Sequence, residues 1–229
     1  MPQQHRVAVI VTPIGTDQPP FPAEACHDAG FHRIGARGKD DGDGGSRRFR
    51  RKGRYLLHEL APGAARIALL VNPANPVATQ TIITDTKAAA AAIGRQIDVF
   101  EAETSDGIET AFAALVQSRA DTLLVGAEPF FIDRRVQIVT LATRHLLPTV
   151  YFLRKFAEIG GLMSYGASDF ARNRDIGIYT GRILKGEKPA DMPVMQPTQF
   201  ELVINLPTAR AIGIPIPPSL LAQANEVIE

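Results

Sequence analysis

The sequence predicts an α/β fold, an open parallel sheet flanked by helices, over most of its 229 residues. Two observations predict it. From Ala64 onward, short apolar runs alternate with segments whose apolar residues recur at helical spacing, and this alternation is typical of right-handed βαβ units. The first run, residues 67–71, is continuously apolar, as expected of a parallel strand covered by helices on both faces.

Each element follows from the local pattern. Strands are predicted in six runs that read, in chain order, ARIALLVNP, RQIDVFEA, DTLLVGA, LPTVYF, GLMSYG and QFELVINL. Helices are predicted over residues 77–93, 104–120, 129–146, 153–158 and 169–185. Gly94 suits a helix C′ position, Asp106 and Glu109 have capping-box spacing, and Pro129 suits the first position of a helix. Residues 207–229 are predicted to be a Pro-rich tail with one short terminal helix.

Bulk properties argue against several classes of partner. The formal net charge of +1 gives no reason to expect nucleic acid, and the Arg-rich run RRFRRKGR lies just after three aspartates. No stretch approaches the roughly 18 apolar residues of a membrane-spanning helix, so no direct membrane insertion is expected. The apolar run near the N-terminus is too short for a secretion signal and favours a strand.

The end of the first strand carries two candidate ligand-binding residues. An open parallel sheet binds ligands in the crevice beyond the carboxyl ends of its strands. There the sequence NPANP places the amides of Asn72 and Asn75 beside the N-terminus of the next helix, where free N–H groups favour a carboxylate. Position alone explains Asn75 equally well as the helix N-cap, and Asn72 as a turn former.

Further candidates lie at the third and fifth strands. Ala127 and Glu128 follow the third strand, where Glu128 could meet an ammonium group; the alternative is an exposed surface carboxylate. Ser164 and Tyr165 end the fifth strand with a hydroxyl and a ring, which would suit an apolar ligand with a polar head; the alternative for Tyr165 is packing at the rim. The predicted ligand-binding set is Asn72, Asn75, Ala127, Glu128, Ser164 and Tyr165.

Enzyme signatures are missing from the sequence. It has no G-x-G-x-x-G after a strand, no Walker A loop and no G-x-S-x-G elbow. The five histidines and Cys26 show no metal-ligand spacing, and Glu101, Glu128 and Asp169 have no obvious partner that would tune them for catalysis. We therefore predict no catalytic residue, no metal and no cofactor. The alternative is an enzyme or effector-sensing regulatory domain on the same doubly wound scaffold, since fold alone does not fix function.

Five long stretches carry a family resemblance that runs from about residue 55 to residue 229. They are LLHELAPGAARIALLVNPANP, ADTLLVGAEPFF, GGLMSYGAS, IYTGRILKGEKPADMPVMQPTQFELVINLPTARAIG and IPPSLLAQANEVIE. Together they resemble the ABC transporter substrate-binding proteins of the tryptophan/tyrosine-binding-like type. The resemblance implies a periplasmic binding protein whose two α/β lobes close on a small-molecule ligand, with amino acids as the ligand class. It also implies an ABC permease and its ATPase as partners.

The resemblance assigns the parts of the chain. Residues 55–166 correspond to the second α/β lobe, whose ligand-facing residues would be Asn72, the Ala127–Glu128 turn, and Ser164 with Tyr165. Residues 167–229 correspond to the hinge return, a helix, a strand and the C-terminal tail. That helix would lie against the first lobe in a complete member. Its apolar residues Phe170, Ile176, Ile183 and Leu184 would then be partly uncovered in this chain.

The chain departs from the resemblance before residue 55. Residues 1–12 contain RVAVIVTP, which resembles one remnant strand of lobe one. Residues 13–54 are rich in Arg, Gly and Asp, a composition expected of a disordered or out-of-frame segment. We therefore interpret the chain as a copy whose first lobe is largely missing, truncated or frame-disrupted, without a signal peptide and cytoplasmic if expressed as given. With one wall of the cleft missing, no amino acid is expected to bind tighter than about millimolar, because such pockets normally bury about 70–90% of a ligand.

Overall fold

A computed structural model of the chain describes residues 52–53, 55–193, 195 and 197–229. The predicted remnant strand in residues 1–12 lies outside these residues, as does nearly all of the predicted disordered or out-of-frame segment 13–54. Residues 52–53 and 55–60 are helical and lead into the sheet. Leu56 and Leu57 are buried there, so this segment forms part of the core.

A seven-stranded sheet with the order β2-β1-β3-β4-β5-β6-β7 forms the centre of the fold. The strands are β1 Arg66–Val71, β2 Gln96–Glu101, β3 Thr122–Val125, β4 Thr149–Tyr151, β5 Met163–Ala167, β6 Phe200–Asn205 and β7 Glu226–Ile228. All neighbouring strands pair in parallel except β5 and β6, which are antiparallel. The predicted α/β sheet is therefore confirmed as a mixed, mostly parallel one.

Besides the helical segment at residues 55–60, eight helices lie in the described part of the chain, and most of them cover the two faces of this sheet. They are α1 Pro76–Ala91, α2 Ser105–Gln117, α3 Pro129–Asp133, α4 Arg135–Arg144, α5 Arg154–Glu158, α6 Asp169–Leu184, α7 Leu206–Ala211 and α8 Pro218–Gln223. A 3₁₀ turn spans Pro189–Asp191. Side chains of alternate strand residues enter two separate apolar clusters, one on each face, because successive residues of a strand point to opposite sides.

Three sequence predictions about these elements are wrong in detail. The predicted helix 129–146 is two helices, because Arg134 leaves the helical conformation with φ −97° and ψ 13°. The N-cap of α2 is Thr104, whose side chain accepts a hydrogen bond from the Gly107 N–H at 3.0 Å. Asp106 and Glu109 lie within the helix, so the predicted capping box does not form. The tail contains two helices and β7, where one short helix was predicted.

Helix α6 differs from the other long helices because none of its residues is buried. Phe170 and Leu184, near its two ends, are 80% and 82% exposed, and Ile176 and Ile183 are exposed as well. The chain leaves the sheet after β5 and returns beside it at β6, where the Ser168 N–H donates to the Gln199 carbonyl at 3.0 Å. The helix is therefore attached to the sheet at its base, while its apolar side chains remain in solvent.

Candidate functional site

The register of the sheet brings the ends of four neighbouring strands to one edge. Leu70 of β1 pairs with Val125 of β3, and Tyr151 of β4 pairs with Ser164 of β5. Since β1, β3, β4 and β5 are parallel, the residues that follow these pairs all emerge on the same side. The sequence-predicted residues are thus brought to one edge, although they come from three separate stretches of the chain.

Asn72 and Asn75 play different parts at this edge. Asn72 is 8% exposed, and its side-chain oxygen accepts a hydrogen bond from the Ala74 N–H at 2.9 Å, which turns the chain directly after β1. Its carbonyl also accepts from the Thr79 hydroxyl. Asn75 is exposed and caps α1 by accepting from the Ala78 N–H at 3.3 Å. Both residues therefore have the local roles that their positions predicted. The side-chain nitrogen of Asn72 makes no hydrogen bond within the described residues, so it is free to donate at this edge.

Glu128 is buried, with 7% of its surface exposed, so it is not the surface carboxylate that the sequence left as the alternative. It stands at the N-cap position of α3 but makes no side-chain cap hydrogen bond. Within the described part of the chain its carboxylate has no hydrogen-bond or ion-pair partner. Burial raises the pKa of Glu128 above its usual value, because desolvation disfavours the charged form. Ala127, the residue before it, is half-buried against the apolar cluster that contains Tyr165.

Ser164 and Tyr165 lie on opposite faces of the sheet. Tyr165 is 8% exposed, belongs to the cluster that Phe152 and Ala127 contact, and stacks on Phe200 with ring centroids 5.7 Å apart. Ser164 is paired with Tyr151, whose ring is part of the other cluster. The Ser164 hydroxyl is buried and has no hydrogen-bond partner among the described residues. Both residues lie inside β5 and do not end it, so the ring and the hydroxyl cannot face one ligand from the same side of the sheet.

Two glycines allow neighbouring backbone segments to approach each other closely at this edge. A Cβ on Gly126 would lie 2.8 Å from the Leu70 carbonyl oxygen, and a Cβ on Gly166 would lie 2.0 Å from that of Phe152. Both distances are shorter than any contact a real Cβ makes. The strand ends at this edge are therefore packed backbone to backbone, which holds the turns after β1, β3 and β4 in fixed positions.

A cavity of about 280 Å³ lies at the same edge, beside β5 and β6, and sequence reasoning did not find it. Its wall combines charged residues with an exposed ring; they are Arg154, Lys155, Glu158, Ser168, Asp169, Phe170 and Glu201. Burial raises the pKa of Glu201, and the nearby Arg154 guanidinium opposes that shift. The signal was weak in the sequence, because these residues come from three elements and carry no motif.

Other kinds of site find no support in the described residues. No group of three or more His, Cys, Asp or Glu side chains there is placed to hold a metal ion. Over the same part of the chain, no helix has the length and apolar character needed to cross a membrane.

Comparisons with known proteins identify what the chain is similar to. Residues 53–228 match the family model described as ABC transporter substrate binding protein. A solved ABC domain in complex with L-Trp from Streptococcus pneumonia is 25% identical, with a TM-score of 0.70, over 79% of this chain and 62% of that chain. A comparison with curated protein sequences gives no significant match.

Two further solved structures share the fold. A conserved domain protein from Vibrio cholerae is 23% identical, with a TM-score of 0.70, over 78% of this chain and 60% of that chain. The ligand-free, open structure of a substrate binding protein with adhesive properties from Clostridium difficile is 24% identical, with a TM-score of 0.55, over 73% of this chain and 56% of that chain. The chain therefore spans less than two thirds of the length of these structures.

Proposed function

Because the chain belongs to the ABC transporter substrate-binding protein family, we propose that it binds a small molecule, an amino acid or a similar compound, at the carboxyl edge of its sheet. In this proposal the edge forms one wall of an interlobe cleft. The ligand-binding residues are Asn72, Asn75, Ala127 and Glu128, together with Ser164 and Tyr165, which would reach the ligand from opposite faces of the sheet. The binding serves an ABC importer, with a permease and an ATPase as partners and the periplasm as the place of action.

The observation that carries the proposal is the convergence of unlike side chains at one edge. A donor amide (Asn72), a buried carboxylate (Glu128) and a ring (Tyr165) follow or lie in strands of a single parallel set. Ligand sites combine an apolar lining with a few placed polar groups, and parallel sheets bind at this edge. The relative from Streptococcus pneumonia holds L-Trp, which supports an amino acid as the ligand class.

The described residues offer a single wall, so binding is expected to be weak, in the millimolar range. A sensitive test is to follow backbone amide shifts by NMR while each of the twenty amino acids is added to about 10 mM. We expect saturable shifts for at least one amino acid, concentrated at residues 72–75, 126–128 and 152–153. Asn72→Ala should weaken that response, whereas Gln96→Ala, at the exposed amino end of β2 and therefore at the opposite edge of the sheet, should leave it unchanged. Shifts that are absent, or that are spread evenly over the molecule, would contradict the proposal.

A further inference from the structure

Helix α6 has two unlike sides. The side that carries Ala171, Asp175 and Tyr179 is half-buried, and the Tyr179 hydroxyl donates a hydrogen bond to the Pro193 carbonyl. The residues of the opposite side are exposed and mostly apolar or small; they are Phe170, Asn173, Ile176, Gly177, Thr180, Ile183 and Leu184. An apolar surface of this extent that no described residue covers is typical of a contact surface.

The pattern of this exposed side matches a second copy of itself. Phe170, Gly177 and Leu184 follow one another at seven-residue intervals, so they form one stripe about 21 Å long with its smallest residue at the centre. A Cβ at Gly177 or at Gly181 would have no atom within 4 Å. Helices that cross at an angle are closest at the crossing point and diverge toward their ends. A stripe that is small at its centre and large at both ends therefore fits another stripe of the same pattern.

The charges of α6 favour an uncharged partner surface and an antiparallel arrangement. Arg172 is paired with Asp169, and Arg182 with Glu187, inside one copy. Neither arginine therefore needs an acidic peptide or an anionic membrane as its partner. Antiparallel helices place the opposite ends of their dipoles side by side. This arrangement also separates the two sheets, because each sheet holds its helix at the N-terminal end, at Ser168.

We propose that two copies of the chain associate through α6, antiparallel and crossing near Gly177, with Phe170 of each copy beside Leu184 of the other. Two 16-residue helices that pack along this side bury on the order of 1,000 Å² in total. This area is at the lower end of specific interfaces, so we expect a dissociation constant of about 10–100 µM. Phe170 also lines the cavity beside β5 and β6, so the second copy lies at the mouth of that cavity. The association needs no ligand and is independent of the proposed function.

Two isoleucines of α6 provide a matched pair of variants. Ile176 is 57% exposed on the proposed interface, whereas Ile178 is 46% exposed but lies about 160° away around the helix. Sedimentation velocity of the full chain at about 1–400 µM covers the expected dissociation constant. We expect a monomer–dimer equilibrium for the wild type, association at least tenfold weaker for Ile176→Gln, and association within twofold of the wild type for Ile178→Gln.

Gly177→Leu distinguishes this interface from non-specific apolar association. The substitution adds apolar surface at an exposed position, and Leu is a good helix former, so the fold should be kept. In the proposed crossing the added side chain holds the helices apart and weakens association at least tenfold, whereas non-specific association would become stronger. The direction of the helices is tested with Phe170→Cys and Leu184→Cys chains, each carrying Cys26→Ser. On oxidation with diamide, a mixture of the two should form disulfides between unlike chains faster than between like chains.

Several results would overturn the inference. A wild-type chain that stays monomeric up to 400 µM, as it would if residues 1–51 covered α6, is one of them. Others are assemblies that grow beyond the dimer, equal effects of Ile176→Gln and Ile178→Gln, and stronger association of Gly177→Leu. If Gly177→Leu does not fold, the two isoleucine variants decide the question alone. The amino-acid panel followed by NMR tests the proposed function separately.

Discussion

Gly166 provides the sharpest test of the packing at the sheet edge. Replacing it with Ala puts a methyl group 2.0 Å from the Phe152 carbonyl oxygen and 3.0 Å from the carbonyl carbon, where ordinary contact begins near 3.4 Å. No side chain can move aside to relieve the clash, because the obstacle is backbone. Gly166 is also fixed by its pairing with Glu201, and Phe152 follows a residue that is itself paired in the sheet.

The cost of this substitution follows from that geometry. Overpacking of a rigid site costs about 1–3 kcal/mol, and a clash with backbone belongs at the upper end of that range. Ala also lowers the entropy of the unfolded chain, which returns roughly 0.4–1 kcal/mol. We therefore expect Gly166→Ala to lower the free energy of unfolding by about 2–3 kcal/mol. Urea denaturation followed by circular dichroism measures this loss as a lower midpoint, by about 1 M for a urea dependence of about 2–3 kcal/mol per M.

Gly177 is the matched control for this substitution. It lies inside α6 with no atom within 4 Å of the position of a Cβ. Ala is favoured over Gly in a helix interior by about 0.5–1 kcal/mol, so Gly177→Ala should stabilise the chain slightly or leave it unchanged. If Gly166→Ala costs less than about 1 kcal/mol, or if both variants behave alike, then the strand ends are not packed as described.

Four other predictions follow from contacts described here. Asn205→Ala should lower the free energy of unfolding by about 2 kcal/mol, because it removes the α7 cap and one of the two hydrogen bonds to the Ala157 carbonyl, which keeps the bond from the Gly160 N–H. Asn75→Ala removes only an exposed cap and should cost about 1 kcal/mol; urea denaturation measures both. Glu226→Gln should cost about 1–2 kcal/mol in the same assay by weakening the two hydrogen bonds from the Arg154 guanidinium. Leu184→Gln should leave the unfolding midpoint unchanged and reduce self-association in sedimentation velocity, since that side chain is 82% exposed. Burial raises the pKa of Glu128, so its carboxylate destabilises the fold once the pH exceeds the raised pKa. Glu128→Gln should therefore raise the melting temperature at pH 7–8. This gain should disappear as the pH falls toward about 4.5, the usual pKa of a Glu side chain.

The sequence was most informative where periodicity and local chemistry agree. The continuous apolar run of β1 and the helical spacing in α2 predicted a buried parallel strand and its covering helix, and both are present. Helix α7 was missed although its signal is the same as that of α1: an Asn N-cap followed by Pro in the first turn. The Pro-rich composition of the tail hid this signal, because a proline disfavours a helix interior but suits its first turn.

Properties that depend on several elements at once could not be predicted from the sequence. Glu128 is buried although it lies in the connection after β3, and no local pattern encodes that burial. The antiparallel pairing of β6 with β5 requires the chain to leave the sheet after β5 and to return beside β5 about thirty residues later. Successive residues of a strand point to opposite faces, so Ser164 and Tyr165 were bound to lie on different sides of the sheet. Their adjacency in the sequence had nevertheless suggested that both contact the same part of a ligand.

The return of the chain beside its own exit has an engineering consequence. Ala167 and Phe200 are partners in the antiparallel ladder, so the segment between them is topologically an insertion into a hairpin. A two-residue turn such as Asn-Gly is a common connection between two such partners. The segment 168–199, which contains α6, can therefore be replaced by that turn without interrupting the sheet. The same junction can accept an inserted domain whose termini lie close together. A fluorescent protein inserted there would report ligand binding at the adjoining edge of the sheet as a change in fluorescence.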